Sequence, residues 1–145
     1  MSTKEIQEGI VANMRRWQKI ENASVASTGR VMEKVDNPIV RLVMEIIQRD
    51  SQMHHRVQEL IADSLECKTV TLTPEDLEAV WGMIEDHIKL EKDTVRLAEE
   101  SLAALKGKKM VVQEYLLNYL LLDENKHNEI LDKLEGIKGG MYPYG

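Results

Sequence analysis

The chain has 145 residues, with 25 acidic against 19 basic side chains and a formal charge of −6. That length allows one domain, residues 1–145, with a hydrophobic core; 30% charged and 43% hydrophobic residues exclude a disordered or membrane-embedded class. No apolar run approaches the ~20 residues of a bilayer span, and the one basic cluster, Lys106, Lys108 and Lys109, falls at an expected turn, so neither membrane nor nucleic acid is an expected partner.

The N-terminal residues are polar and lack the apolar stretch of a secretory signal, and the single cysteine, Cys67, allows no internal disulfide. Both features favour a cytoplasmic location. Phe is absent and Met occurs eight times, which suggests a mostly aliphatic core.

The apolar period is helical throughout, and it predicts four helices. The first spans roughly residues 4–34, with Ile10, Met14, Trp17, Glu21, Ser24, Thr28 and Val31 on one seam. Asn37-Pro38 breaks it, because the residue before proline avoids helical angles. The second spans roughly 38–65, with Val40, Val43, Ile47, Asp50, His54, Val57 and Ile61 on its seam.

Thr73-Pro74-Glu75-Asp76 reads as a helix start, with Thr as N-cap, Pro at the first helical position and acids in the first turn. The third helix follows, roughly 74–106, with Ile84, Ile88, Glu91, Val95, Ala98, Leu102 and Leu105 in line, and Gly107 ends it. The fourth spans roughly 109–137, with Leu116, Leu120, Asp123, His127, Ile130, Leu134 and Ile137. Gly139-Gly140 is expected to end this helix and leave 138–145 as a flexible or docked tail. The fold class is all-α. Trp17 and Trp81 are expected in the core or at an interface; Tyr115 and Tyr119, a turn or two before Glu124 and His127, are expected to pack in the core, with donation of a hydrogen bond or an electron as the alternative.

Each seam is interrupted by acid or histidine near the middle of its helix: Glu21, Asp50 to His54, Glu91, and Asp123 to His127. A charge buried alone is costly, so such groups must pair, lose their charge or bind a cation. The interruptions also repeat. Lys19-Ile20-Glu21 matches Lys89-Leu90-Glu91 seventy positions on, and Asp50 with His54 matches Asp123 with His127 seventy-three positions on. The first hairpin reads as duplicated in the second. His87, four residues before Glu91, shares its helix face and could serve as a substitute ligand.

Over residues from about 4 to 137 this pattern resembles the ferritin-like superfamily of the rubrerythrin and di-iron carboxylate type. That family uses one Glu from each of two helices and a Glu-x-x-His from each of the other two. The resemblance implies a ferritin-like four-helix bundle built from two duplicated helical hairpins. It also implies metal ligation by Glu21, His54, Glu91, Glu124 and His127, with Asp50 and Asp123 orienting the histidines.

Iron, as two ions or one, is the implied metal, with manganese or zinc as substitutes. Ferrous oxidation by oxygen or peroxide is the implied activity, in a homo-oligomer. The sequence departs from the family at Ser51, where a bridging Glu is expected. A di-metal site bridged by Glu124 and solvent, a single ion, and a metal-free structural or protein-interaction bundle all stay open.

In that family the second and third helices run parallel. The eight residues Glu66 to Thr73 reach at most about 28 Å, against helices of about 40 Å, so either the helix ends fray by a turn each or the bundle runs up-down-up-down; the repeat favours fraying.

Overall fold

In the computed structural model, which describes residues 1–141, the chain forms four α-helices and, among the described residues, no strand. They are α1 (Thr3–Lys34), α2 (Pro38–Glu66), α3 (Pro74–Leu105) and α4 (Val111–Met141). The chain divides into two compact units, Met1–Val70 and Thr71–Gly145. The first is the hairpin of α1 and α2, the second that of α3 and α4. No described helix is long and apolar enough to cross a membrane.

The helix boundaries follow from local chemistry. Ser2 caps α1 in a reciprocal box: its hydroxyl accepts from the Glu5 N–H at 3.2 Å, and Glu5 Oε2 accepts from the Ser2 N–H at 2.7 Å. Asn37 Oδ1 accepts from the N–H groups of Ile39 and Val40, with Pro38 at the first helical position, where a missing N–H costs nothing. Thr73 and Asp76 form the same box at the start of α3. Each such cap contributes about 1 kcal/mol. After α3, Gly107 adopts a φ of 77°, which a side chain would oppose.

In the first hairpin the two helices bury Gln18, Glu21, Thr28, Ser51, Gln58 and Ala62. This interior is small or polar, and hydrogen bonds tie its helices together, although Glu21 Oε2 and Gln58 Oε1 make none. Gln48 Nε2 donates to the Val25 carbonyl at 3.2 Å, and Gln18 Nε2 donates to Glu59 Oε2 at 2.6 Å. Arg15 Nη1 reaches the same Glu59 oxygen at 2.7 Å and Nη2 reaches Glu66 at 3.3 Å, tying α1 to the last turns of α2. In the second hairpin Leu77, Trp81, Glu91 and Ala98 are buried.

The seam of α3 is buried at Glu91 and Ala98 and half-buried at Ile84, Ile88, Val95, Leu102 and Leu105, whereas Ile10, Ile47, Val57, Ile61, Ile130 and Ile137 on the other seams are exposed. A contact between two helices covers a narrower stripe than the apolar face a bundle helix carries, so large residues at its edges stay uncovered. Three expectations need correction. Tyr115, expected in the core, is exposed, whereas Trp81 is buried; Trp17 is 50% exposed, which a place at an interface allows.

The helices flanking the connection do not fray, since α2 runs to Glu66 and α3 starts at its cap on Thr73. Finally, α4 does not stop before Gly139-Gly140 but continues through both to Met141. Each glycine costs roughly 0.5–1 kcal/mol in a helix. Lys138, whose Nζ lies 5.0 Å from the Trp81 ring centroid, ties that last turn to α3 and offsets part of the cost. The rest of the expected tail, residues 142–145, lies outside the described residues.

Candidate metal centre

Within the second hairpin, α3 contributes Glu91 and α4 contributes Glu124 and His127. Each offers one ligand atom, and the three atoms lie within 4.8 Å of one another. His127 Nδ1 stands 3.4 Å from Glu91 Oε2 and 3.7 Å from Glu124 Oε2. Ligand atoms about 2.1 Å from a shared ion stand roughly 3.0–3.4 Å apart at octahedral or tetrahedral angles. Small shifts of the side chains would therefore place all three on one cation.

Neighbouring side chains hold the three ligands. His127 Nε2 faces Asp123 Oδ2 at 3.4 Å, leaving Nδ1 for an ion. His87 Nε2 pairs with Glu91 Oε1 at 2.9 Å, so Oε2 is the oxygen left facing His127. The Thr94 hydroxyl is shared between the Glu91 carbonyl at 2.7 Å and Glu124 Oε2 at 2.8 Å.

Glu91 is 9% exposed, and its Oε2 receives no hydrogen bond of good geometry. Two carboxylates this close need a cation between them, a proton or a metal ion. The protonation preferences say the same. A hydrogen bond with Glu91, then burial, pushes the Glu124 carboxyl above the usual range. The same hydrogen bond, with His127 and His87 nearby, holds Glu91 below it. A groove of about 300 Å³ lined by Thr94, Leu97, Ala98, Leu120 and Glu124 opens beside the cluster.

The first hairpin holds a reduced version. His54 Nδ1 stands 3.2 Å from Glu21 Oε2, using the same ring nitrogen as His127. Glu21 is buried, and its Oε2 also lacks a well-aligned hydrogen bond. Ser51 occupies the place of Glu124, and its hydroxyl donates to the Ser24 hydroxyl at 2.9 Å. Asp50, the counterpart of Asp123, is exposed.

The structure thus brings Glu91, Glu124, His127, Asp123 and His87 together in one hairpin, and Glu21 with His54 in the other. Ser24 and Thr94 were not singled out as functional from sequence. The signal was available, because each lies three residues after its glutamate and the two are separated by the same seventy positions.

Compared with known protein families, curated proteins and solved structures, the chain matches none. Its function must be argued from these residues.

Proposed function

We propose that this chain is a ferritin-like metal protein, a four-helix bundle of two duplicated hairpins that binds iron and oxidises it with oxygen or peroxide. The observation that carries the reading is Glu91 Oε2, which is buried, makes no well-aligned hydrogen bond and faces His127 and Glu124. Burying a carboxylate beside a second one costs several kcal/mol, which a divalent cation removes. Oxygen and imidazole donors suit iron, with manganese or zinc as substitutes.

The hydroxyl three residues after each glutamate, bonded to the residue three before each histidine, repeats in both hairpins and supports their duplication. In this reading Glu91, Glu124 and His127 hold one ion. Glu21 and His54 engage a second where two are bound. Asp123, His87 and Thr94 fix the orientation of the ligands. Bound iron supplies the one-electron chemistry toward the oxidant. The chain itself binds the ion, neutralises it with carboxylates and, with Asp123 beside His127 Nε2, orients the ring so that Nδ1 faces Glu91.

Protein produced with added iron and purified without a metal-affinity tag is expected to carry near-stoichiometric metal by elemental analysis, and to oxidise added ferrous ion. Metal-free protein that gains no thermal stability from ferrous, manganous or zinc ion would overturn the reading.

A second reading is a metal-free bundle serving as a structural or protein-interaction module. It is favoured by the exposure of Trp17, Ile47 and Val57. That exposure equally supports self-association of the metal protein as a homo-oligomer, which chromatography coupled to light scattering measures.

A further inference from the structure

The two hairpins repeat each other closely enough that their differences can be read position by position. At the place of Glu124 the first hairpin has Ser51, which is buried and closed onto Ser24. At the place of His87, whose Nε2 pairs with Glu91 Oε1 at 2.9 Å, it has Trp17, which is 50% exposed and carries one N–H donor and no acceptor. At the place of Asp123, which stands behind His127, it has the exposed Asp50. The histidines differ too: the side chain of His54 is 58% exposed, that of His127 38%.

Resting on the metal-binding reading above, we infer that the two centres are unequal. One divalent transition-metal ion per chain is held firmly by Glu91, Glu124 and His127, and Glu21 with His54 forms a weak, exchangeable position that fills afterwards.

Three physical differences act in the same direction. The second hairpin offers three ligand atoms and two negative charges, the first two ligand atoms and one charge. A serine hydroxyl already bonded to another hydroxyl must give up that bond to reach an ion, and it brings no charge when it does. The ligands of the second hairpin are also held in place by His87, Thr94 and Asp123, and losing one such support lowers metal affinity roughly 10–100-fold. The buried Oε2 of Glu91 adds an independent pointer to a resident cation. Glu21 Oε2 is likewise without a well-aligned donor, but only His54 is there to share an ion with it.

The test uses the full chain, stripped with chelator and titrated with manganous ion while free ion is followed by electron paramagnetic resonance. One equivalent is expected to bind 10–100-fold more tightly than the next. Glu124→Gln should abolish that tight equivalent, and His87→Gln should weaken it. His54→Asn, at an exposed side chain, should leave it unchanged and remove only the weak phase. Circular dichroism checks that each variant is folded.

Two equivalents that fill with equal affinity would overturn the inequality while leaving the metal-binding reading intact, as would loss of the tight ion in His54→Asn. No binding to the unmodified chain would overturn both.

Discussion

The Thr94 hydroxyl lies 2.8 Å from Glu124 Oε2, joining α3 to α4 beside the buried Glu91 carboxylate. Because the same hydroxyl also reaches the Glu91 carbonyl, its position is set by the backbone of α3 rather than by the ligand it supports. Thr94→Val keeps the shape and removes the hydroxyl. The metal-free variant should lose about 1 kcal/mol of stability, and its affinity for manganous ion should fall about tenfold or more. Unchanged affinity in a calorimetric titration would mean that Glu124 is positioned by something else.

Glu91→Gln separates the cost of the buried charge from its use. Without metal the variant relieves the crowding of two carboxylates, so its melting temperature should fall little, although the pairing with His87 becomes a neutral hydrogen bond. With metal the comparison reverses. An ion at about a hundred times its dissociation constant stabilises the unmodified chain by about 2.7 kcal/mol, or about 5–10 °C for a chain of this size. Glu91→Gln should show none of that gain in differential scanning calorimetry. A gain as large as that of the unmodified chain would place the ion elsewhere.

Acid should loosen the second hairpin at the start of α3. The Thr73 N–H, and then its hydroxyl, hold the Asp76 carboxyl below its ordinary value of 3.8. A depressed carboxyl contributes stability that is present above its unfolded-state pKa and is lost as pH falls through the folded one. Unfolding measured from neutral pH to below about pH 4 should therefore show an acid-side loss that is smaller in Asp76→Asn. Identical acid profiles for the two proteins would show that the capping box does not contribute to pH sensitivity.

How much of this was legible in the sequence differs by level. Pro38, Pro74 and Gly107 set their helix boundaries through backbone constraints that act on the residue itself, so they could be read without the fold. Gly139 and Gly140 carry no such constraint. A helix passes through glycine at modest cost where a partner holds it, and that partner, Trp81 under Lys138, is about sixty residues away in sequence.

The depth and pairing of Glu91 with His127 and of Glu21 with His54 follow from a repeat that periodicity exposes. The hydroxyl partners Ser24 and Thr94 needed side-chain geometry, because a small polar residue beside a glutamate is unremarkable in sequence. Ile47, on the seam of α2, is nevertheless exposed, because a seam records which residues share a face, not how much of that face a given neighbour covers.

Ser51 is where the two hairpins differ most in chemistry, and it offers the most demanding experiment. Its side chain is buried and bonded to Ser24. Ser51→Glu places a carboxylate near Glu21 and His54, in the relation Glu124 has to Glu91 and His127. Without metal the added charge has no counter-charge, so the bundle should lose several kcal/mol or hold the new carboxyl protonated. With manganous or ferrous ion the same carboxylate becomes a third ligand, and the loss should be recovered through ligand linkage. Melting temperature with and without metal is the measurement. A deficit that saturating metal fails to restore would argue against a shared metal-binding origin of the two hairpins. Recovery accompanied by a second tightly bound ion would mean that the change at position 51 is what separates the first centre from the second.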